Sequence, residues 1–179
     1  MWSAPRDSVP APSVIVGWTG HRPDVFRDPS EARDRVEQLA LGAYGHTDVR
    51  FVCGGQRGVD LWAADIAQRL GIPFELVLPV PPSSFSSEWD DQERAHLLAH
   101  VSRAERVTVL DPRGERGLLA YDRRNEEIAY RSELLIAVWT GMRRGGTFYT
   151  LCAARRRGIP TRSVLLAPTL DPLEPGRGV

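Results

Sequence analysis

The chain has 179 residues, 42% hydrophobic and 26% charged, with a formal net charge of zero. That suits one domain with an ordinary core and argues against bulk adhesion to nucleic acid or a membrane surface. All 23 basic residues are arginine, which excludes a Walker-type phosphate-loop lysine, a pyridoxal Schiff base and a lysine nucleophile.

Residues 1–13 carry Pro5, Pro10 and Pro12 without periodicity and read as a poorly ordered tail. They hold no apolar signal segment, so a cytoplasmic protein is expected. The apolar run 14–18 predicts a first strand. It leads into the loop Gly17-Trp-Thr-Gly-His-Arg-Pro23, which holds Gly20, His21 and Arg22. A helix is predicted over 30–44 and a second strand over 49–53. The strand opens into Cys53-Gly-Gly-Gln-Arg-Gly-Val-Asp60, with Gly54, Gly55, Arg57 and Gly58, and then into a helix over 59–70. Val59, Trp62, Ala63, Ile66 and Leu70 share one face of that helix, and Gly71 followed by Pro73 ends it. Asp60 falls in its first turn, where the helix dipole favours a carboxylate and a ribose hydroxyl could equally be bound. Cys53 and Cys152 are the only cysteines, too few for a disulfide framework.

Strand 74–79 and helix 88–102 follow. His96 and His100 lie one helical turn apart and could share a metal, but no Glu follows His96, so the zinc-protease pattern fails and no metal site is expected. Strand 106–110 precedes a helix over 121–132 that opens with Asp122-Arg-Arg-Asn-Glu-Glu127. Arg124 and Asn125 could reach a phosphate or sugar, or serve as cap and solvated charge. Strand 134–139 runs into Thr140-Gly-Met-Arg-Arg-Gly-Gly-Thr147 and a helix over 147–157. Strand 162–166 is the last, and the Pro- and Gly-rich stretch 168–179 reads as a second tail.

This alternation predicts an α/β fold: a Rossmann-like, doubly wound, mostly parallel sheet with helices on both faces, formed as one domain over 14–167. Ligands in such folds sit beyond the carboxyl ends of the strands. Three Gly/Arg loops follow three predicted strands, so all should meet at one sheet edge. The last is the most informative. Gly141, Gly145 and Gly146 let a ligand approach the backbone, the helix N-terminus favours anions, and Arg143 and Arg144 offer guanidinium forks. Neighbours in a loop point apart, so one of the two arginines is expected to face the ligand. Thr147 is a natural N-cap or a hydroxyl donor to phosphate. Trp18 and Trp139 end strands at this edge and could stack on a base or pack in the core. Residues 113–162 hold eleven arginines against five acids, a local net of +6 against −6 elsewhere.

Thr19-Gly-His-Arg-Pro23, Cys53-Gly-Gly-Gln-Arg-Gly-Val-Asp-Leu-Trp-Ala-Ala64, Arg124-Asn125, Ser132-Glu-Leu-Leu-Ile-Ala-Val-Trp-Thr-Gly141 and Gly145-Gly-Thr147 occur in that order. Together they resemble the SLOG superfamily, which takes in the Rossmann domain of DNA-processing protein A and the lonely-guy phosphoribohydrolases. The TGHRP-type bacterial branch is the nearest in pattern, and the resemblance covers roughly residues 14–166. It implies a domain that binds a nucleotide or nucleotide derivative. Members of the family hydrolyse nucleoside monophosphates, sense nucleotide signals or hold single-stranded DNA. The phosphoribohydrolase motif Gly-Gly-x-Gly-Thr-x-x-Glu is broken here: Arg144-Gly-Gly-Thr-Phe-Tyr-Thr150 lacks the intervening glycine and has Thr150 where the Glu would stand. The expectation is therefore a sensor or binding module for a phosphorylated nucleotide. N-glycosidic hydrolysis is the alternative, with Asp60, Glu88, Asp90 or Glu126 as the carboxylate. Single-stranded DNA binding comes third. No cofactor and no membrane are expected, and a homodimer is left open.

Overall fold

The computed structural model describes residues 13–44 and 48–169. The expected tails fall outside these residues except at 13, 168 and 169. Thr169 donates its backbone N–H to Val25 O at 2.9 Å and its hydroxyl to Asp24 O at 2.8 Å, so the chain is tied down at that point.

Six strands form one sheet: β1 (Val14–Gly20), β2 (Val49–Cys53), β3 (Phe74–Leu78), β4 (Arg106–Val109), β5 (Leu134–Trp139) and β6 (Thr161–Leu165). All neighbours pair in parallel, in the order β4-β3-β2-β1-β5-β6. Between them run α1 (Pro29–Tyr44), α2 (Val59–Leu70), α3 (Pro82–Phe85), α4 (Asp91–Arg103), α5 (Leu118–Arg131) and α6 (Gly145–Arg156). The predicted Rossmann-like α/β sheet is present and parallel throughout.

Strand residues alternate between two cores, as the period of two requires. Val16, Trp18, Phe51, Cys53, Leu76 and Leu78 face a large core under α1, α2 and α4. Val52, Val77 and Leu135 face a smaller one with Ile128 and Ala129 of α5 and Ala153 and Ala154 of α6. Burial on both faces explains why the inner strands read as largely apolar runs, while the edge strands β4 and β6 carry polar residues.

The chain winds outward from β1 to β4, then crosses back on the opposite face through α5 to enter β5. The strand order reverses between β1 and β5, which opens a crevice at their carboxyl ends. The crossover also lays α5 across β1, β2 and β3, which brings Arg124 to Gly54, 70 residues away in sequence. No helix among the described residues is long and apolar enough to cross a membrane.

Candidate functional site

At the reversal point lies a cavity of about 650 Å³. Its walls come from the β1 loop (Thr19–Arg22), the first turns of α5, and the β5–α6 loop with the start of α6.

The floor is an ion pair between buried groups. Arg124 Nη1 lies 3.6 Å from Asp60 Oδ2 and donates to Gly54 O at 2.9 Å. Glycine is required at 54 because a Cβ there would run into Arg124 Nη1 and Asp60 Oδ2. Burial pushes the Asp60 carboxyl up to about 6, outweighing the opposing pull of Arg124 and of backbone hydrogen bonds from Gln56 and Gly54. Burial lowers the Arg124 guanidinium as well, with Asp60 opposing. Arg124 lines the cavity, and its buried Nε–H has no partner in the protein. A buried donor left unmatched is costly.

The α6 wall supplies further donors. Arg144 is the N-cap in extended conformation, and no side chain caps the helix. The first N–H groups of α6, from Gly145 to Thr147, lack intrahelical partners by construction, and all three residues line the cavity. Thr147 is not the N-cap, because the helix starts two residues earlier than its pattern predicts; it is the third helical residue and is buried. Arg22, Arg124 and Arg144 line the cavity against two carboxylates, Asp60 and Asp122, so cationic groups prevail. Burial, with Arg22 adding to it, lowers the His21 pKa, and Thr140 Oγ1 lies 3.2 Å from His21 Nδ1.

Ten residues singled out in the sequence line it: Gly20, His21, Arg22, Asp60, Arg124, Asn125, Arg144, Gly145, Gly146 and Thr147. Gly54, Gly55, Arg57, Gly58, Gly141 and Arg143 do not line the cavity. The second glycine loop has engaged its own donors. Gln56 N–H goes to Asp60 Oδ2, Arg57 N–H to Gln56 Oε1, and Val59 N–H to His21 O at 3.3 Å. Gly58, at φ +87°, packs directly on the His21 carbonyl, where no Cβ fits. Gly55 faces Leu78 and Phe85 in the core. Arg57 binds both oxygens of Glu93, at 2.9 and 3.0 Å, and lies over the Trp89 ring. Trp18 is fully buried against Phe51, and Trp139 donates to Ser163 Oγ at 2.7 Å, so neither forms part of the wall.

The aromatic and apolar surface of the cavity comes instead from Leu118, Tyr121, Met142 and Tyr149, which sequence reasoning passed over. Tyr121 was within reach of it: it precedes Arg124 by three residues and so shares its helix face.

Among the four carboxylates named for hydrolysis, only Asp60 lines the cavity. Glu88 is exposed, Asp90 caps α4 by accepting Glu93 N–H at 2.8 Å, and Glu126 pairs with Arg156. Thr150 is buried, and its hydroxyl donates to Gly146 O at 2.9 Å. Burial pushes the Cys53 thiol well up, which keeps it from acting as a nucleophile.

No protein-family model matches the chain. A UPF0398 protein from Bacillus thuringiensis (strain Al Hakam) is 24% identical over 154 residues, covering 80% of this chain and 84% of that one. Among solved structures, DNA processing protein A from Helicobacter pylori, described with its single-stranded DNA binding mode, matches with a TM-score of 0.60 at 17% identity. That match covers 84% of this chain and 64% of the other. The Streptococcus pneumoniae protein of the same name matches at 0.58, and the chain spans 50% of its length. The molybdenum cofactor carrier protein from Chlamydomonas reinhardtii matches at 0.54 and 20% identity, over 85% of this chain and 76% of that one. The chain shares the Rossmann-like fold of these proteins.

Proposed function

We propose that the cavity binds a phosphorylated nucleotide or nucleotide derivative and that the protein is a sensor or binding module for it. The observation that carries this reading is the presence of two donor sets in the lining of one cavity. One is the uncapped start of α6 with Arg144; the other is buried Arg124, with an unpartnered N–H. The helix start and the arginines suit phosphate oxygens. Tyr121 and Tyr149 offer flat faces to a base. The volume falls within the usual range for small-molecule sites, roughly 300–1,000 Å³. The chemistry also fits the SLOG resemblance and the cofactor carrier among the similar structures.

Calorimetric titration with a panel of nucleoside phosphates and their unphosphorylated nucleosides tests this reading. The expected result is saturable binding that requires the phosphate. Arg144→Ala should weaken it at least about tenfold, the loss of one charge-assisted hydrogen bond. Arg143→Ala should leave it unchanged, since Arg143 is outside the cavity. The absence of saturable binding at millimolar ligand contradicts the reading.

One observation favours a second reading, N-glycosidic hydrolysis. Asp60 lies in the cavity with its carboxyl near 6, where a group can both hold and release a proton at neutral pH. Incubation with nucleoside monophosphates should then release free base, and Asp60→Asn should abolish the release. No base from the wild-type protein removes this reading.

A further inference from the structure

Outside the cavity, three chemistry-bearing side chains converge between α2 and α4. His96 Nε2 lies 2.6 Å from Asp65 Oδ1, His100 Nε2 lies 2.8 Å from the same oxygen, and the two nitrogens are 3.2 Å apart. Among the described residues this is the only grouping of three His, Cys, Asp or Glu ligand atoms within 4.8 Å of one another. None of the three lines the nucleotide-sized cavity.

We propose that Asp65, His96 and His100 form a binding site for a divalent transition-metal ion with the chemistry of Zn²⁺.

The ligand set is right for such an ion: two imidazoles and one carboxylate, each offering one atom to a common point. Ligands bonded at about 2.0–2.1 Å to a tetrahedral ion sit roughly 3.4 Å apart. The two histidine nitrogens are already near that spacing, and Asp65 needs to move outward by about 0.8 Å. Without a metal, both imidazoles must aim an Nε2–H at one carboxylate oxygen, which sets two like dipoles side by side. An ion replaces both hydrogens with a single positive centre. The buried Nδ1 of His100 has no protein partner, and it lacks one with or without the ion, so it does not separate the two states.

The supports around the trio are also in place. His96 and His100 stand one turn apart on α4 and so present their rings to the same side. Phe74 meets the buried His100 ring edge-on at a centroid distance of 5.8 Å and fixes its orientation. Arg33 Nη2 lies 3.7 Å from the other Asp65 oxygen, Oδ2, and leaves Oδ1 to the histidines.

His100 closes the inner side, while His96 is 41% exposed at the wall of a groove of about 680 Å³ shared with Arg33, Arg69 and Trp62. Three protein ligands and an open outer side leave a fourth position for water or an anion. The ion would also join α2 to α4.

Titration of the untagged full chain with Zn²⁺, and with Co²⁺ read by visible absorption, tests the site. The expected result is one equivalent per chain, a tetrahedral-type Co²⁺ spectrum, and a thermal midpoint raised by the metal. Losing the hydrogen-bonded support of a metal ligand costs about 10–100-fold in affinity, so losing a ligand outright should cost more. His96→Ala removes a half-exposed ring and Asp65→Asn keeps the side-chain shape. Each should weaken Zn²⁺ binding by at least about 100-fold and erase the metal-induced midpoint shift, while the metal-free midpoint stays near that of the wild type. Binding below one equivalent, or binding that survives both substitutions, overturns the proposal. Either outcome leaves the nucleotide reading untouched, because that reading rests on other residues.

Discussion

Asp60, Arg124 and Gly54 show how much one contact can do. The missing Cβ of Gly54 is what admits the Arg124 guanidinium beside the Asp60 carboxylate. The sequence marks Asp60 as a first-turn carboxylate, favoured by the helix dipole or placed to bind a ribose hydroxyl. Its burial comes from α5, whose approach no local pattern reveals. That burial has a pH signature. The Asp60 carboxyl titrates at about 6 in the folded state against 3.8 as its ordinary value. The folded state then binds more protons than the unfolded state between those values, so stability falls as pH rises through that window. At about 1.4 kcal/mol per pKa unit the full effect is roughly 3 kcal/mol. Denaturant unfolding from pH 4 to 7 should show Asp60→Asn gaining stability relative to the wild type as pH rises through the window, then holding a constant difference. A difference independent of pH would mean that Asp60 is not buried in this way.

At the scale of elements, the four inner strands were legible as apolar runs because they are largely buried, whereas the edge strands β4 and β6 are partly or mostly exposed and mix polar residues into their runs. Five of the helices were legible from their spacing. The short helix α3 was not: Pro81-Pro82-Ser-Ser reads as a breaker, although a proline is readily accepted in a first helical turn. The start of α6 was misplaced because Gly145 and Gly146 look like loop residues, whereas both already belong to the helix. The three glycine loops look alike in sequence and differ in structure. In the β2–α2 loop, Gln56, Arg57 and Val59 give their N–H groups to protein acceptors. The start of α6 lacks a side-chain cap and borders open space. Composition cannot separate these cases, because the acceptors that use up the donors come from elsewhere in the fold. Likewise, the turn shared by His96 and His100 was visible on α4, whereas Asp65 reaches them only when α2 and α4 pack.

For the molecule as a whole, the decisive feature is the reversal of strand order between β1 and β5. It brings the Thr19–Arg22 loop, the first turns of α5 and the start of α6 around one crevice. Fold class and sheet edge followed from the βα alternation; which loops would face the crevice did not. The local excess of arginine is spread from the loop before α5 to β6, and only Arg124 and Arg144 of it border the cavity. On the proposed reading a phosphorylated ligand sits against the start of α6 and the Arg124 face of α5, while the β2–α2 loop supports the floor and only its Gln56 borders the cavity. Hydrogen–deuterium exchange of the full chain, with and without a saturating nucleoside phosphate, tests this most directly. Protection should rise most in residues 142–149 and 118–125 and change little in 54–58, where only Gln56 borders the cavity. New protection centred on 54–58, or none anywhere at saturation, would contradict it.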